Sequence, residues 1–382
     1  MANSFNGCVA VVQYRPLEEL PPVMTLLGVL KKIGIPVFYV GIESAAGRDF
    51  LECAGVEHEF LPYVRHRSRL CRAWSFLPRR EKLLAILRRL KAKYGAVTPW
   101  FQECHSAALA GDGVYEIGRC ITTFFEFECN YGSRWIGFDL NRMLHENVIV
   151  ECEKNRAYMT QALHGLKETP LVVANKSEID RAAVPPLNEE ATIAFEEIGG
   201  RPVFLYQGYL ADDRKDVPFI LKTIAKNRPE YCVLLLPGSD PLNKMLAPYE
   251  NAFTLQRIAA PGHLAVTERA TIGIAVYNGE GVGPWRLNAL YCAPNKIYEY
   301  AAFGLPTLGN KIPGLEYTIG TAKAGVCCDM TESSILAAAD ELVAHIAEYR
   351  SNAMQFYEST DVVGQVKAVI ERAGYGNKES SH

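Results

Sequence analysis

No C-x-x-C pair, no run of about 18 apolar residues and no repeat of solenoid period occurs in this 382-residue sequence. Without paired cysteine spacing, zinc ribbons and dithiol redox centres lose their signature. The 11 cysteines are odd in number, and Cys8, Cys120, Cys232 and Cys327 sit in apolar stretches. There a free thiol acts as a small hydrophobe in a reducing compartment, so a cytoplasmic chain is expected. Without a long apolar run there is no membrane span to expect, and the opening Met-Ala-Asn-Ser-Phe-Asn-Gly lacks the basic start of a secretory signal. An excess of one charge is missing too. Forty Lys and Arg against 43 Asp and Glu leave −3, which argues against binding nucleic acid by bulk charge.

What is present is material for buried cores. Apolar residues make up 49% and charged residues 22%, which excludes global disorder, and the length suits two domains of about 100–200 residues each. A short Val-rich run over Cys8–Gln13, helical spacing over Leu20–Ile33 and a β-branched run over Ile35–Val40 predict a β-α-β unit. The same alternation predicts a helix over Ala45–Cys53, a basic helical region ending near Lys93, and strands at Glu57–Leu61, Val97–Phe101, Cys120–Phe125, Val148–Val150 and Leu171–Val173. From Asn175 to Arg201 the composition turns to Ser, Pro, Asn and acids, which predicts a linker. Beyond it the rhythm restarts with strands at Pro202–Gln207, Cys232–Leu236, Thr271–Val276, Thr307–Leu308 and Gly325–Cys328, and helices at Val217–Ala225 and from Asn295. The expectation is α/β, with two doubly wound Rossmann-like domains at 1–180 and 181–360 facing a cleft, then a last helix and polar tail over 361–382.

In open parallel sheets ligands bind beyond the carboxyl ends of the strands. Three such places carry polar or glycine-rich sequence. After the Pro202–Gln207 strand, Gly208 permits close backbone approach and Arg214 supplies a charge suited to phosphate. After Thr271–Val276, Tyr277 and Asn278 open a glycine-rich loop that matches neither the P-loop nor the dinucleotide fingerprint. Most informative is the run from Pro294 to Pro306. Pro294 suits a first helical turn, Asn295 and Lys296 lie where exposed amides attract an anion, and Glu299 stands one turn on, where a carboxylate can accept from ribose hydroxyls.

The run Pro294-Asn-Lys-Ile-Tyr-Glu-Tyr-Ala-Ala-Phe-Gly-Leu-Pro resembles the donor-binding segment of the GT-B glycosyltransferases, especially the large retaining group called family 4. Tyr206-Gln-Gly, Ile149-Val-Glu-Cys-Glu-Lys-Asn-Arg-Ala and Pro170-Leu-Val-Val-Ala-Asn-Lys fit the same likeness, in that family's order. The resemblance implies a UDP- or GDP-sugar donor held by the C-terminal domain, a glycan or lipid-linked acceptor on the N-terminal domain, and a last helix that crosses back to the first domain. It implies Asn295 and Lys296 at the diphosphate and sugar, Glu299 at the ribose and Arg214 at the phosphates. Two positions depart from the pattern. Tyr291 stands where the family commonly has a second glutamate, and Tyr209 where an arginine often follows the glycine.

The resemblance also implies retention, in which the leaving phosphate helps deprotonate the acceptor. Charge building on that phosphate needs fixed positive partners, here Arg214 and Lys296. No Asp-x-Asp motif occurs, so no metal or other cofactor is expected. On the N-terminal side, His105 follows one predicted strand and Glu126 and Glu128 follow another, and His105 and Glu126 are candidates for a catalytic or sugar-contacting role; Tyr14-Arg15-Pro16, after the first strand, is a candidate acceptor loop. Finally, residues 65–93 interleave basic residues with leucines around a single acid, Glu81. Two readings fit: a helix lying on an anionic membrane surface, or one that packs its leucine face on the sheet. A sugar-nucleotide epimerase of the same fold and a non-catalytic partner subunit are the competing functions.

Overall fold

The computed structural model describes residues 7–62, 69–127, 134–135, 137–208, 216–277 and 284–374. In the first half β1 (Cys8–Pro16), α1 (Pro21–Lys32), β2 (Val37–Ile42), α2 (Ala45–Cys53) and β3 (Glu57–Leu61) are followed by α3 (Arg69–Tyr94), β4 (Val97–Gln102), α4 (Glu103–Ala110) and β5 (Ile121–Phe124). A small hairpin, β6 (Arg134–Trp135) and β7 (Phe138–Asp139), leads to α5 (Leu140–Glu146), β8 (Val148–Glu151), α6 (Lys154–His164) and β9 (Leu171–Val172). The seven-stranded sheet runs β3-β2-β1-β4-β5-β8-β9, all parallel. Central strands read as unbroken apolar runs because helices cover both faces.

The second half begins with α7 (Glu189–Ile198), β10 (Val203–Gln207), α8 (Asp216–Asn227), β11 (Cys232–Leu236), α9 (Asp240–Leu246), β12 (Ala252–Thr254) and α10 (His263–Arg269). It continues with β13 (Ile272–Ala275), α11 (Pro284–Leu290), α12 (Asn295–Ala302), β14 (Thr307–Asn310), α13 (Pro313–Leu315), β15 (Gly325–Cys328), α14 (Glu332–Ala344) and α15 (Ile346–Ser359). Its six strands pair in parallel in the order β12-β11-β10-β13-β14-β15. By contacts the chain divides at Ala174–Asn175, and the last helix, α16 (Val362–Arg372), belongs to the first unit. There it packs on α1 and β9, and Gln365 Oε1 accepts from the Ala174 amide at 2.9 Å.

One expectation needs correction. The 175–201 segment is not all linker, because Glu189–Ile198 is helical. Asn188 caps it by accepting from Ala191 N, Gly199 ends it in the left-handed conformation, and Ala191, Ala194 and Ile198 pack against Val203 and Leu205. The polar residues read as loop signals were helix punctuation. For the basic segment, the reading that packs a leucine face inward holds for Leu83, Leu84, Ile86, Leu87 and Leu90, which are buried in the first unit's core, while Leu77 is exposed. Arg80 Nε and Nη2 donate to Leu109 O and Ala108 O, both at 2.9 Å, closing the end of α4. Lys82, Arg89 and Lys93 reach Glu59 or Glu57 on β3. Arg65 and Arg67 lie outside the described residues. Among the described residues no helix is long and apolar enough to cross a membrane.

Candidate functional site

In the second unit the strand order reverses between β10 and β13, and the crevice beyond their carboxyl ends is where a doubly wound sheet binds ligand. Gln207 and Gly208 stand at the end of β10, and Tyr277 follows β13. Helix α12 is pinned over this edge by Tyr300. Its fully buried hydroxyl lies 3.3 Å from both Leu205 O and Ile274 O and accepts from the Gln207 amide at 3.2 Å. Pro294 is the N-cap, with extended ψ of 138°, one residue outside the turn it was expected to open, and no side chain caps the helix. Asn175 Nδ2 donates to Ala293 O at 2.8 Å, fixing the chain that enters α12.

On this frame Asn295 is the first helical residue and Lys296 the second. Lys296 Nζ lies 4.2 Å from the centre of the Tyr206 ring and 5.8 Å from that of Tyr277. Gly208 has φ +130°, a conformation that L side chains rarely adopt, and a Cβ there would sit 3.0 Å from Lys296 Nζ. One turn on, Glu299 Oε2 accepts from Gln207 Nε2 at 2.6 Å and stands 3.7 Å from His263 Nε2. Gln207 is itself held by Thr267, whose hydroxyl donates to Gln207 Oε1 at 2.7 Å. No described residue bonds Glu299 Oε1. Asn310 exchanges two bonds with the Tyr277 backbone, at 3.0 and 2.8 Å, and so shapes the start of the glycine-rich loop. Gly208, Tyr277, Pro294, Asn295, Lys296 and Glu299 therefore meet at one edge, whereas Arg214 and Asn278 lie outside the described residues.

The first unit reverses its strand order between β1 and β4. At that place β1 is irregular between Val12 and Pro16, and such irregularities re-aim side chains at functional edges. Arg15 Nε lies 3.0 Å from Glu103 Oε2. Glu103 is buried and takes φ +66°, one of two non-glycine residues with positive φ among those described. Burial pushes its carboxyl up, Arg15 opposes this, and the negative charges of Glu126 and Glu19 push further up. His105 is exposed on α4, yet desolvation by its neighbours and the Arg15 charge hold its imidazole below the usual value. Glu126 is exposed beyond β5. The preceding backbone is tied down by Arg156, which pairs with buried Glu151 at 3.1 Å and donates to Phe125 O at 3.0 Å. His105 and Glu126 thus share an edge with Arg15 and Glu103, while Glu128 lies outside the described residues.

An open cavity in the second unit, lined by Glu316, Lys323, Cys327, Glu341, His345 and Tyr349, sits elsewhere. It opens toward the start of β15 rather than the carboxyl edge, and Glu341 is engaged by His345 and Tyr349. Among the described residues no group of three His, Cys, Asp or Glu is placed to hold a metal ion.

Neither the models of known protein families nor the curated proteins give a match to this chain. Solved structures do. A glycosyltransferase from Rickettsia africae superposes with a TM-score of 0.70 at 12% identity, over 99% of this chain and 100% of that one. The fold is GT-B. HepE from Anabaena, solved with UDP and glucose, gives a TM-score of 0.69 at 10% identity over 97% and 99% of the two chains. A UDP-N-acetylglucosamine 2-epimerase gives 0.59 at 13% identity over 97% of this chain and 98% of that one. At these identities the likeness fixes the GT-B architecture, and the chemistry has to be argued from the residues.

Gln207, Thr267, His263 and Glu103 belong to these edges without being singled out by any motif of the sequence. Gln207 and Glu103 had a signal, since each is a polar residue at the end of an apolar strand. His263 and Thr267 sit on a seven-residue helix that packs against α12, where His263 stands near Glu299 and Thr267 holds Gln207.

Proposed function

We propose that this chain is a glycosyltransferase that moves a sugar from a nucleoside diphosphate, a UDP- or GDP-sugar, to a hydroxyl of a glycan or lipid-linked acceptor in surface polysaccharide or glycolipid synthesis. The observation that carries this reading is Glu299, fixed through one oxygen by Gln207 while the other faces no described partner, one helical turn from Lys296. A carboxylate so held accepts from vicinal ribose hydroxyls, and the ammonium beside it meets the charge that grows on the departing diphosphate. The first amides of α12 add to that field, and Arg214 is the further phosphate partner. In the retaining, metal-independent route, the bond from the anomeric carbon to the leaving phosphate oxygen breaks. The acceptor oxygen bonds that carbon on the same face, and its proton passes to the phosphate.

The test is turnover of UDP- and GDP-sugars with calorimetry of donor binding. Glu299→Ala is expected to lower donor affinity by roughly ten- to a hundred-fold, the worth of hydrogen bonds to a charged group; unchanged affinity overturns the assignment. A second reading has its own support. Arg15, Glu103, His105 and Glu126 form the cluster of ionisable groups on one edge that an epimerase of this fold requires, and two of them have shifted acidities. Release of an epimerised nucleotide sugar without acceptor would select it, and absence of nucleotide binding would select the partner-subunit reading.

Association with an anionic membrane is proposed for the outer face of α3, where Arg88 and Lys91 are exposed. With Leu83, Leu84, Leu87 and Leu90 buried in the core and Leu77 exposed, attraction is chiefly electrostatic. Flotation with anionic liposomes that persists at high salt and in Arg88→Ala/Lys91→Ala would refute it.

A further inference from the structure

The chemistry of Glu299 depends on where its carboxylate points, and three elements converge to decide that. Gln207 is almost completely buried at the end of β10, and Thr267 on α10 is fully buried. The Thr267 hydroxyl has one proton; it lies 2.7 Å from Gln207 Oε1 and 3.3 Å from His263 O, so the shorter contact takes it. With its carbonyl oxygen thus occupied by a donor, the Gln207 amide can present only Nε2 to Glu299, at 2.6 Å. His263 Nε2 lies on the same side, 3.7 Å from the same oxygen. The inward oxygen of Glu299 is held by a neutral amide rather than by an arginine, so its negative charge is left for a ligand. Below, Tyr300 fixes the adjacent residue of α12 to β10 and β13.

We infer that Gln207 and Thr267 are positioning residues that aim the outer oxygen of Glu299, and that this relay sets the site's discrimination for a nucleotide bearing ribose hydroxyls. The inference rests on the nucleotide-sugar reading above and deepens it. A relay of buried polar groups acts as a unit, because removing one member leaves the others unsatisfied or free to turn.

The experiment compares UDP with 2′,3′-dideoxy-UDP in calorimetric titrations of the full chain, alongside thermal melting. The unaltered protein is expected to bind UDP roughly ten- to a hundred-fold more tightly than the dideoxy analogue, and Glu299→Ala to abolish the difference. Gln207→Met and Thr267→Val are expected to cut the ratio to within about threefold, chiefly by weakening UDP. Thr267→Ser, which keeps the hydroxyl, is expected to retain it. A purely structural role would lower the melting temperature and leave the ratio intact. Retention of full discrimination in Gln207→Met and in Thr267→Val overturns the relay. If Gln207→Met does not fold, the contrast between Thr267→Val and Thr267→Ser decides alone. Failure of the unaltered protein to bind UDP or GDP at all overturns the donor-site reading instead, and discrimination that survives Glu299→Ala overturns the role given to that carboxylate.

Discussion

Replacing Glu103 separates a backbone cost from a chemical role. Its φ of +66° places a side chain in the left-handed region, which costs an L residue about 1–2 kcal/mol. Its carboxylate is buried against a half-exposed Arg15, and a pair with one partner in solvent contributes less than about 1 kcal/mol. Glu103→Ala keeps the backbone cost and loses the pair. Glu103→Gly loses the pair and relieves the backbone, at an entropic cost of about 0.4–1 kcal/mol from the freer unfolded chain. The glycine variant is therefore expected to be more stable than the alanine variant by up to about 1.6 kcal/mol, or roughly 3–6 °C for a unit of this size. Both variants remove the carboxylate from its cluster with Arg15, His105 and Glu126, and turnover is expected to fall alike in the two. Differential scanning calorimetry and a donor-turnover assay read the two effects. A glycine variant that melts below the alanine variant refutes the strain argument, and full turnover in either refutes the catalytic one.

Gly208→Ala puts a Cβ 3.0 Å from Lys296 Nζ at φ +130°; donor affinity is expected to fall on the order of tenfold, and an unchanged Kd would show that this backbone does not border the donor. Arg80→Met leaves the Leu109 and Ala108 carbonyls without their donor, and a loss of about 2 kcal/mol in chemical denaturation is expected, with no change in liposome binding. A fully stable variant would mean that solvent replaces both bonds. The Arg228 hydrogen bonds hold the Asp340 carboxyl below its ordinary range, against the effect of burial. A depressed carboxyl contributes stability above its unfolded value and loses it as pH falls through the folded one, so the contribution should fade below roughly pH 4. Arg228→Ala should flatten the acid limb of stability against pH; an unaltered slope would count against the pair.

The parallel-sheet architecture was legible because strands covered on both faces appear as unbroken apolar runs, as in Val203–Gln207 and Cys232–Leu236. Helix α7 was not, since Asn188 and Gly199 are loop residues by composition and caps only in context. Lys296 and Glu299, at the carboxyl edge of the second sheet, could be read from one contiguous run. Their supports could not, because Gln207 on β10 and His263 on α10 reach Glu299, and Thr267 on α10 reaches Gln207, from elements distant in sequence that the fold brings together. In the basic segment, charge spacing alone leaves a lipid surface and a packed leucine face open together; the structure commits Leu83, Leu84, Leu87 and Leu90 to the core and leaves Leu77 exposed.

The return of α16 to the first unit bears on how the chain matures. Val362, Val366, Val369 and Ile370 are buried there, so the unit synthesised first is completed last. During translation the second unit, Asn175–Thr360, is free to fold while the first still exposes the apolar surface that α16 will cover. A stop codon placed after Thr360 would spare the domain nearest to it and unsettle the one at the opposite end of the polypeptide.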